Sequence, residues 1–268
     1  MTQPSAVRHT PQQTADKIRA VTAQVVQSIN EFTSRTFRTR GGRMGSGMGG
    51  ILEGLYGYYA TQHLENDGLE LAWMSDHAYN DFAVVDDAEN WDPATKAGEL
   101  LRIEMKSMNF GTDEPKAHFD EIQEALSPDD LLVVLVWRWQ PEDTGWRSWP
   151  KVADVFVDRA LPVAELRDAL HLQRGGSFVR DPCPDGCDPT PCSHYGEPLN
   201  REGTRERRTG PISRKPKNSD YGANFGGLKR MLGTRGAAAL QLKADICKAN
   251  PAAAEYVRFI ERNLAPGS

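Results

Sequence analysis

Asn80-Asp81-Phe82-Ala83-Val84-Val85, a polar spacer, then Leu100-Leu101-Arg102-Ile103-Glu104-Met105-Lys106: this stretch decides how the chain is read. The first run predicts a strand with an acid at its start. The second predicts a strand carrying Glu-x-Lys. Alternate residues of a strand share a face, so Glu104 and Lys106 point the same way. If the two strands pair as a hairpin, Asp81 joins them on that face. Two carboxylates there suit a divalent ion, and a lysine beside them suits organising a water or a developing oxyanion. Taken alone, Glu-x-Lys on a strand is usually an exposed, salt-bridged face. The apolar company of both runs and the order of the flanking elements raise the case for a site.

Working outward, residues Thr14 to Phe37 predict a helix, with Ile18, Val21, Val25, Ile29 and Phe32 at helical spacing and Thr14 as its cap. Gly45, Gly47 and Gly50 satisfy a GxGxxG pattern, but no strand leads into it, so a dinucleotide site is rejected. A helix from Met48 to Leu64 follows. Gly50, Gly54, Gly57 and Thr61 make a stripe of small residues along it, which suits close approach to a sheet or ligand. Glu53 sits beside that stripe, as a solvated acid or as a further carboxylate leaning toward the site. Strands are predicted at Leu69 to Met74, Tyr79 to Val85 and Glu99 to Met108. A helix follows at Glu114 to Leu126, ended by Ser127-Pro128. Leu131 to Trp139 is apolar enough for a buried fourth strand. Val152 to Val157 is a further apolar run, and Pro162 to Leu172 predicts a helix. Asp86 competes with Asp81 for the acid's role; Asp81 is preferred because it precedes the hydrophobic strand, and a bulge would reverse that choice.

The element order, with these residues, resembles the PD-(D/E)XK nuclease superfamily. That resemblance spans roughly Met48 to Trp139. It implies a restriction-endonuclease-like α/β core: a helix, a three-strand meander, a crossover helix and a fourth strand. Asn80-Asp81 stands where the family has Pro-Asp, and Glu104-Met105-Lys106 matches the second half of the motif. Asn80 departs from a proline that has no chemical part. Glu53 matches the acid that many members carry on the first helix. What the resemblance implies is a Mg²⁺ ion held by Asp81 and Glu104, with the Met105 carbonyl as a further ligand. Lys106 would then orient or deprotonate the attacking water, and Glu53 would hold a second ion or a bound water. Gln123 on the crossover helix is a weaker accessory candidate.

Charge is distributed unevenly. From Arg201 onward there are 14 Lys/Arg against 6 Asp/Glu, although the whole chain carries −5. A basic C-terminal part suits an anionic partner. Cys183, Cys187, Cys192 and His194 cluster, and thiolates with imidazole suit a structural Zn²⁺ knuckle. Cys247 lies far from them. Arg205, Arg207, Arg208, Arg214, Lys215 and Lys217 follow, either as a solvated linker or as a DNA-contacting arm. Two domains are expected: residues 1–175, an N-terminal helix plus the nuclease core, and residues 176–268, the Cys/His knuckle, basic arm and helical tail. The polar N-terminus and the lack of any long apolar run lead us to expect a cytoplasmic protein without membrane contact.

The resulting expectation is a Mg²⁺-dependent deoxyribonuclease, a type II-like restriction or defence endonuclease. Repair or recombination is the runner-up among enzymes. A homodimer would match the two-strand cutting of many members, although no dimer interface is visible in the sequence. The alternative from another class is a non-catalytic DNA-binding or assembly subunit that keeps the fold.

Overall fold

In the computed structural model, residues 9–38, 47–74, 80–109, 111, 123, 126–143, 146–174 and 227–264 are described. The first helix, α1, runs Pro11–Thr36 and begins earlier than expected. Its N-cap is Thr10, not Thr14. The Thr10 hydroxyl accepts from the Gln13 N–H and the Gln13 side chain accepts from the Thr10 N–H, with Pro11 in the first turn. Thr14 is buried one turn later and donates to the Thr10 carbonyl. Ile18, Val25 and Ile29 are fully buried, but Phe32 is 36% exposed. The buried stripe thus leaves Phe32 at its edge.

Helix α2 is Met48–Leu64, closed by a 3-10 turn at Glu65–Asp67. Its small residues allow contact with the sheet, with one correction. A Cβ on Gly57 would fall 2.5 Å from the Phe82 ring, and Gly54 lies against Trp73. The Thr61 hydroxyl accepts from the Leu71 N–H at 3.0 Å. Gly50, however, meets nothing within 4 Å; Gly49 makes the close approach, where a Cβ would sit 2.7 Å from the Ser107 hydroxyl.

The sheet has five strands in the order β1-β2-β3-β4-β5. These are β1 Glu70–Trp73, β2 Phe82–Val85, β3 Glu99–Met108, β4 Leu131–Pro141 and β5 Ser148–Arg159. The first three form an antiparallel meander, β4 runs parallel to β3, and β5 returns antiparallel to β4. The chain is therefore α/β with a mixed sheet. Leu101, Ile103 and Met105 of β3 join the core with α1 and α2, while Glu104 and Lys106 alternate with them. Residues Leu131 to Trp137 of β4 are all buried, as the apolar run predicts. β5 is an edge strand. The Asn30 carboxamide of α1 donates to the Val152 carbonyl and accepts from the Val152 N–H, which occupies part of that edge.

Contacts divide the chain into two units, Met1–Thr112 with Ser127–Ala160, and Asp113–Leu126 with Leu161–Ser268. The second contains α3 Ala160–Gln173 (from Leu161 on), α4 Leu228–Leu232, α5 Ala237–Ala249 and α6 Pro251–Leu264. The break between α5 and α6 falls at Asn250-Pro251. In α3, Arg167 and Asp168 are buried together, and Gln123 donates to Asp168 at 3.4 Å. Most of the expected helix at Glu114 to Leu126 lies outside the described residues. Among the described residues, no helix is long and apolar enough to cross a membrane.

Candidate active site at the β2–β3 junction

β2 is short and β3 is long, and the site is built where the first ends beside the second. Phe82 pairs with Ile103, so β3 runs past the start of β2. Asp81 stands at that step. Its backbone N–H donates to the Ile103 carbonyl and its carbonyl accepts from the Met74 N–H, both at 3.0 Å. Its side chain takes over where the ladder stops, with Oδ2 accepting from the Met105 N–H at 2.6 Å. Asp81 is thereby fixed beside Glu104, bonded to the residue on either side of it.

Glu104 is 2% exposed. Lys106 Nζ donates to its Oε1 at 2.7 Å. Its Oε2 is buried and has no hydrogen-bond partner. Burial pushes the Glu104 carboxyl up to about 7 against the pull of Lys106, and the charges of Asp81 and Glu53 add to the rise. Burial works against the Lys106 ammonium, but Glu104, Asp81 and Glu53 together outweigh it and raise its pKa. Glu53 reaches the same cluster from α2. Desolvation raises its pKa most, Lys106 opposes that, and Ser107 offers it both a backbone N–H and a hydroxyl. The Gly49 approach sets α2 against Ser107 one turn before Glu53.

Glu53, Asp81, Glu104 and Lys106 are thus brought together as three carboxylates around one ammonium. Asp86 is not among them. It lies at the far end of β2, where its N–H donates to the Gly98 carbonyl. A register irregularity does occur in β2, between Val84 and Val85, but it follows Asp81 and leaves the choice of acid unchanged. Gln123 is half-buried and donates to Asp168 within the second unit. Cys183, Cys187, Cys192, His194, Arg205, Arg207, Arg208, Arg214, Lys215 and Lys217 lie outside the described residues.

Among the described residues, no group of three His, Cys, Asp or Glu side chains closes into a metal-holding set. Asp81 is held by Met105, Glu104 by Lys106 and Glu53 by Ser107. The donor set still fits a hard cation of the Mg²⁺ type. That ion is commonly bound through one or two carboxylates and substrate phosphates, not by a full protein cage. Glu104 Oε2, bare and buried, is the oxygen such an ion would take.

Sequence reasoning passed over Ser107 and gave Asn80 no chemical part. Ser107 directly follows the Glu-x-Lys motif, on the face that α2 covers. Asn80 precedes Asp81 and is 3% exposed, with its Nδ2 buried and without a partner. An amide immediately before an acid at the mouth of an apolar strand was the available signal. No family model matches this chain, and neither does any curated protein or solved structure.

Proposed function

We propose that the chain is a Mg²⁺-dependent deoxyribonuclease with a restriction-endonuclease-like core, acting in restriction or defence. The observation that carries this reading is the meeting of Glu53, Asp81, Glu104 and Lys106 at one step in the sheet. The antiparallel β1–β2–β3 meander followed by parallel β4 is the strand order the resemblance implies. Asp81 and Glu104 would hold the metal, with Glu53 nearby. When bound, Mg²⁺ would neutralise charge on the phosphate and on the attacking and leaving oxygens.

The chain's own groups do the rest. Lys106 stays cationic and is 29% exposed at its side chain, so it can meet an anionic phosphate and stabilise charge that grows in the transition state. The Met105 N–H holds Asp81 in one orientation. A Zn²⁺ knuckle at Cys183, Cys187, Cys192 and His194 and a DNA-contacting arm at 205–217 complete the proposal; the basic balance beyond Arg201 supports the arm.

A second reading is favoured by the lack of a three-ligand set among the described residues. In it, Glu104–Lys106 is a structural pair in a non-catalytic DNA-binding subunit. Plasmid, phage and single-stranded DNA, incubated with wild type and Lys106→Ala in Mg²⁺, Mn²⁺ or EDTA, separate the two. Metal-dependent cutting that is lost in the variant is expected. DNA binding without cutting on any substrate would replace the nuclease by the binding subunit.

A further inference from the structure

Asn80 Nδ2 and Glu104 Oε2 are buried side-chain atoms left without hydrogen-bond partners, and both belong to residues that adjoin Asp81. One is a donor and the other an acceptor. An unmet buried group costs about 1–3 kcal/mol, so each of them calls for a reason. Asp81 is pinned through its N–H and its carbonyl, which fixes the backbone immediately after Asn80. Asn80 itself is 3% exposed and cannot exchange its missing bond for bulk water.

The cluster also has a chemical need that the residues already named leave open. It carries three carboxylates, and its single ammonium already donates to one of them. An incoming phosphodiester needs donors as well as charge neutralisation. A neutral amide supplies N–H groups without titrating. Buried as Asn80 is, such a donor is worth more than it would be at the surface.

We propose that the Asn80 carboxamide donates a hydrogen bond to a non-bridging oxygen of the scissile phosphate, and so contacts substrate directly. This rests on the nuclease reading above. The family position it occupies is a proline, which has no donor to offer.

The test uses the full chain with Asn80→Ala and with Asn80→Leu, which is near-isosteric and apolar. Melting temperature, kcat and KM are measured with Mg²⁺ on the DNA that wild type cuts best. The expected result is a kcat lower by about 10²-fold, as for loss of one transition-state donor, with KM within about two-fold. Asn80→Leu should melt no lower than wild type, because the unmet donor is gone. Variants that cut within two-fold of wild type would overturn the role of Asn80 and leave the nuclease reading standing. Activity that falls only in step with the folded fraction would overturn it too. If wild type cuts nothing, the nuclease reading and this contact fall together.

Discussion

Two buried carboxylates, one on β3 and one just before β4, face opposite fates. Asp130, just before β4, is 3% exposed and fully engaged. Its Oδ1 accepts from the Arg102 N–H at 3.1 Å and its Oδ2 from the Ser127 N–H at 2.9 Å. Burial raises its pKa, and those two N–H groups oppose the rise. Glu104, on β3, is as deeply buried but has one oxygen on Lys106 and the other bare. Asp130 is spent on architecture, tying the turn before β4 to β3. Glu104 is held ready for something else. Satisfaction of the oxygens, and not depth of burial, separates a structural acid from a candidate chemical one.

That contrast can be broken by substitution, beginning with the largest effect. Lys106→Ala and Glu104→Gln should each lower the rate of DNA cleavage by 10²-fold or more while the fold persists, as cleavage assays beside circular dichroism would show. Asp130→Ala should do the reverse. It leaves two buried N–H groups unmet and should cost about 3 kcal/mol in denaturant unfolding, with the activity per folded molecule unchanged. If Asp130→Ala proved the silent change and Glu104→Gln the unfolding one, the distinction drawn here would collapse.

The contrast should also appear in pH dependence. Glu104 ionises at about 7 in the fold against an ordinary 4.5, so the folded chain keeps a proton that the unfolded chain gives up. Its contribution to stability is therefore greatest below about pH 4.5. It declines as pH rises to about 7 and is flat beyond, a loss of about 3 kcal/mol at roughly 1.4 kcal/mol per pKa unit. Thermal melts of wild type and Glu104→Gln from pH 4.5 to 8 should show this slope in the first and its loss in the second. A parallel slope in both would assign it elsewhere. Smallest of all are the effects expected on α2. Gly57→Ala should destabilise by about 2 kcal/mol against the Phe82 ring, and Gly50→Ala, with open space, should stabilise by up to about 1 kcal/mol in the same unfolding assay.

Much of this was visible in the letters. The alternation of Glu104 and Lys106 with Ile103 and Met105 marks which side chains leave the core, and the apolar run from Phe82 follows its acid. These are local periodicities, and local periodicity is what a sequence carries best. Other features depend on partners far along the chain. Thr10 caps α1 through Gln13 and Pro11, a signal overlooked because the first apolar position lies well inside the helix. Gly49 and Gly50 are adjacent letters, and only the packing on Ser107 tells them apart. Asp130 reads as part of a Ser-Pro-Asp-Asp turn, and nothing nearby announces its bond to Arg102. β5 is longer than its apolar run because Asn30 and β4 hold residues that have no strand pattern of their own. Asn80 looks like a substituted proline until its buried amide is seen to lack a partner.

The Asp81 side chain stands in for a strand that ends too soon, and that gives the protein a built-in gauge. The Met105 amide proton is shielded by one carboxylate oxygen and not by a neighbouring backbone. Anything that draws on that carboxylate must loosen or tighten the grip on this proton. Hydrogen exchange or the NMR resonance of this single amide would therefore register the arrival of an ion or a phosphate at Asp81, before any bond is cut and whether or not one ever is.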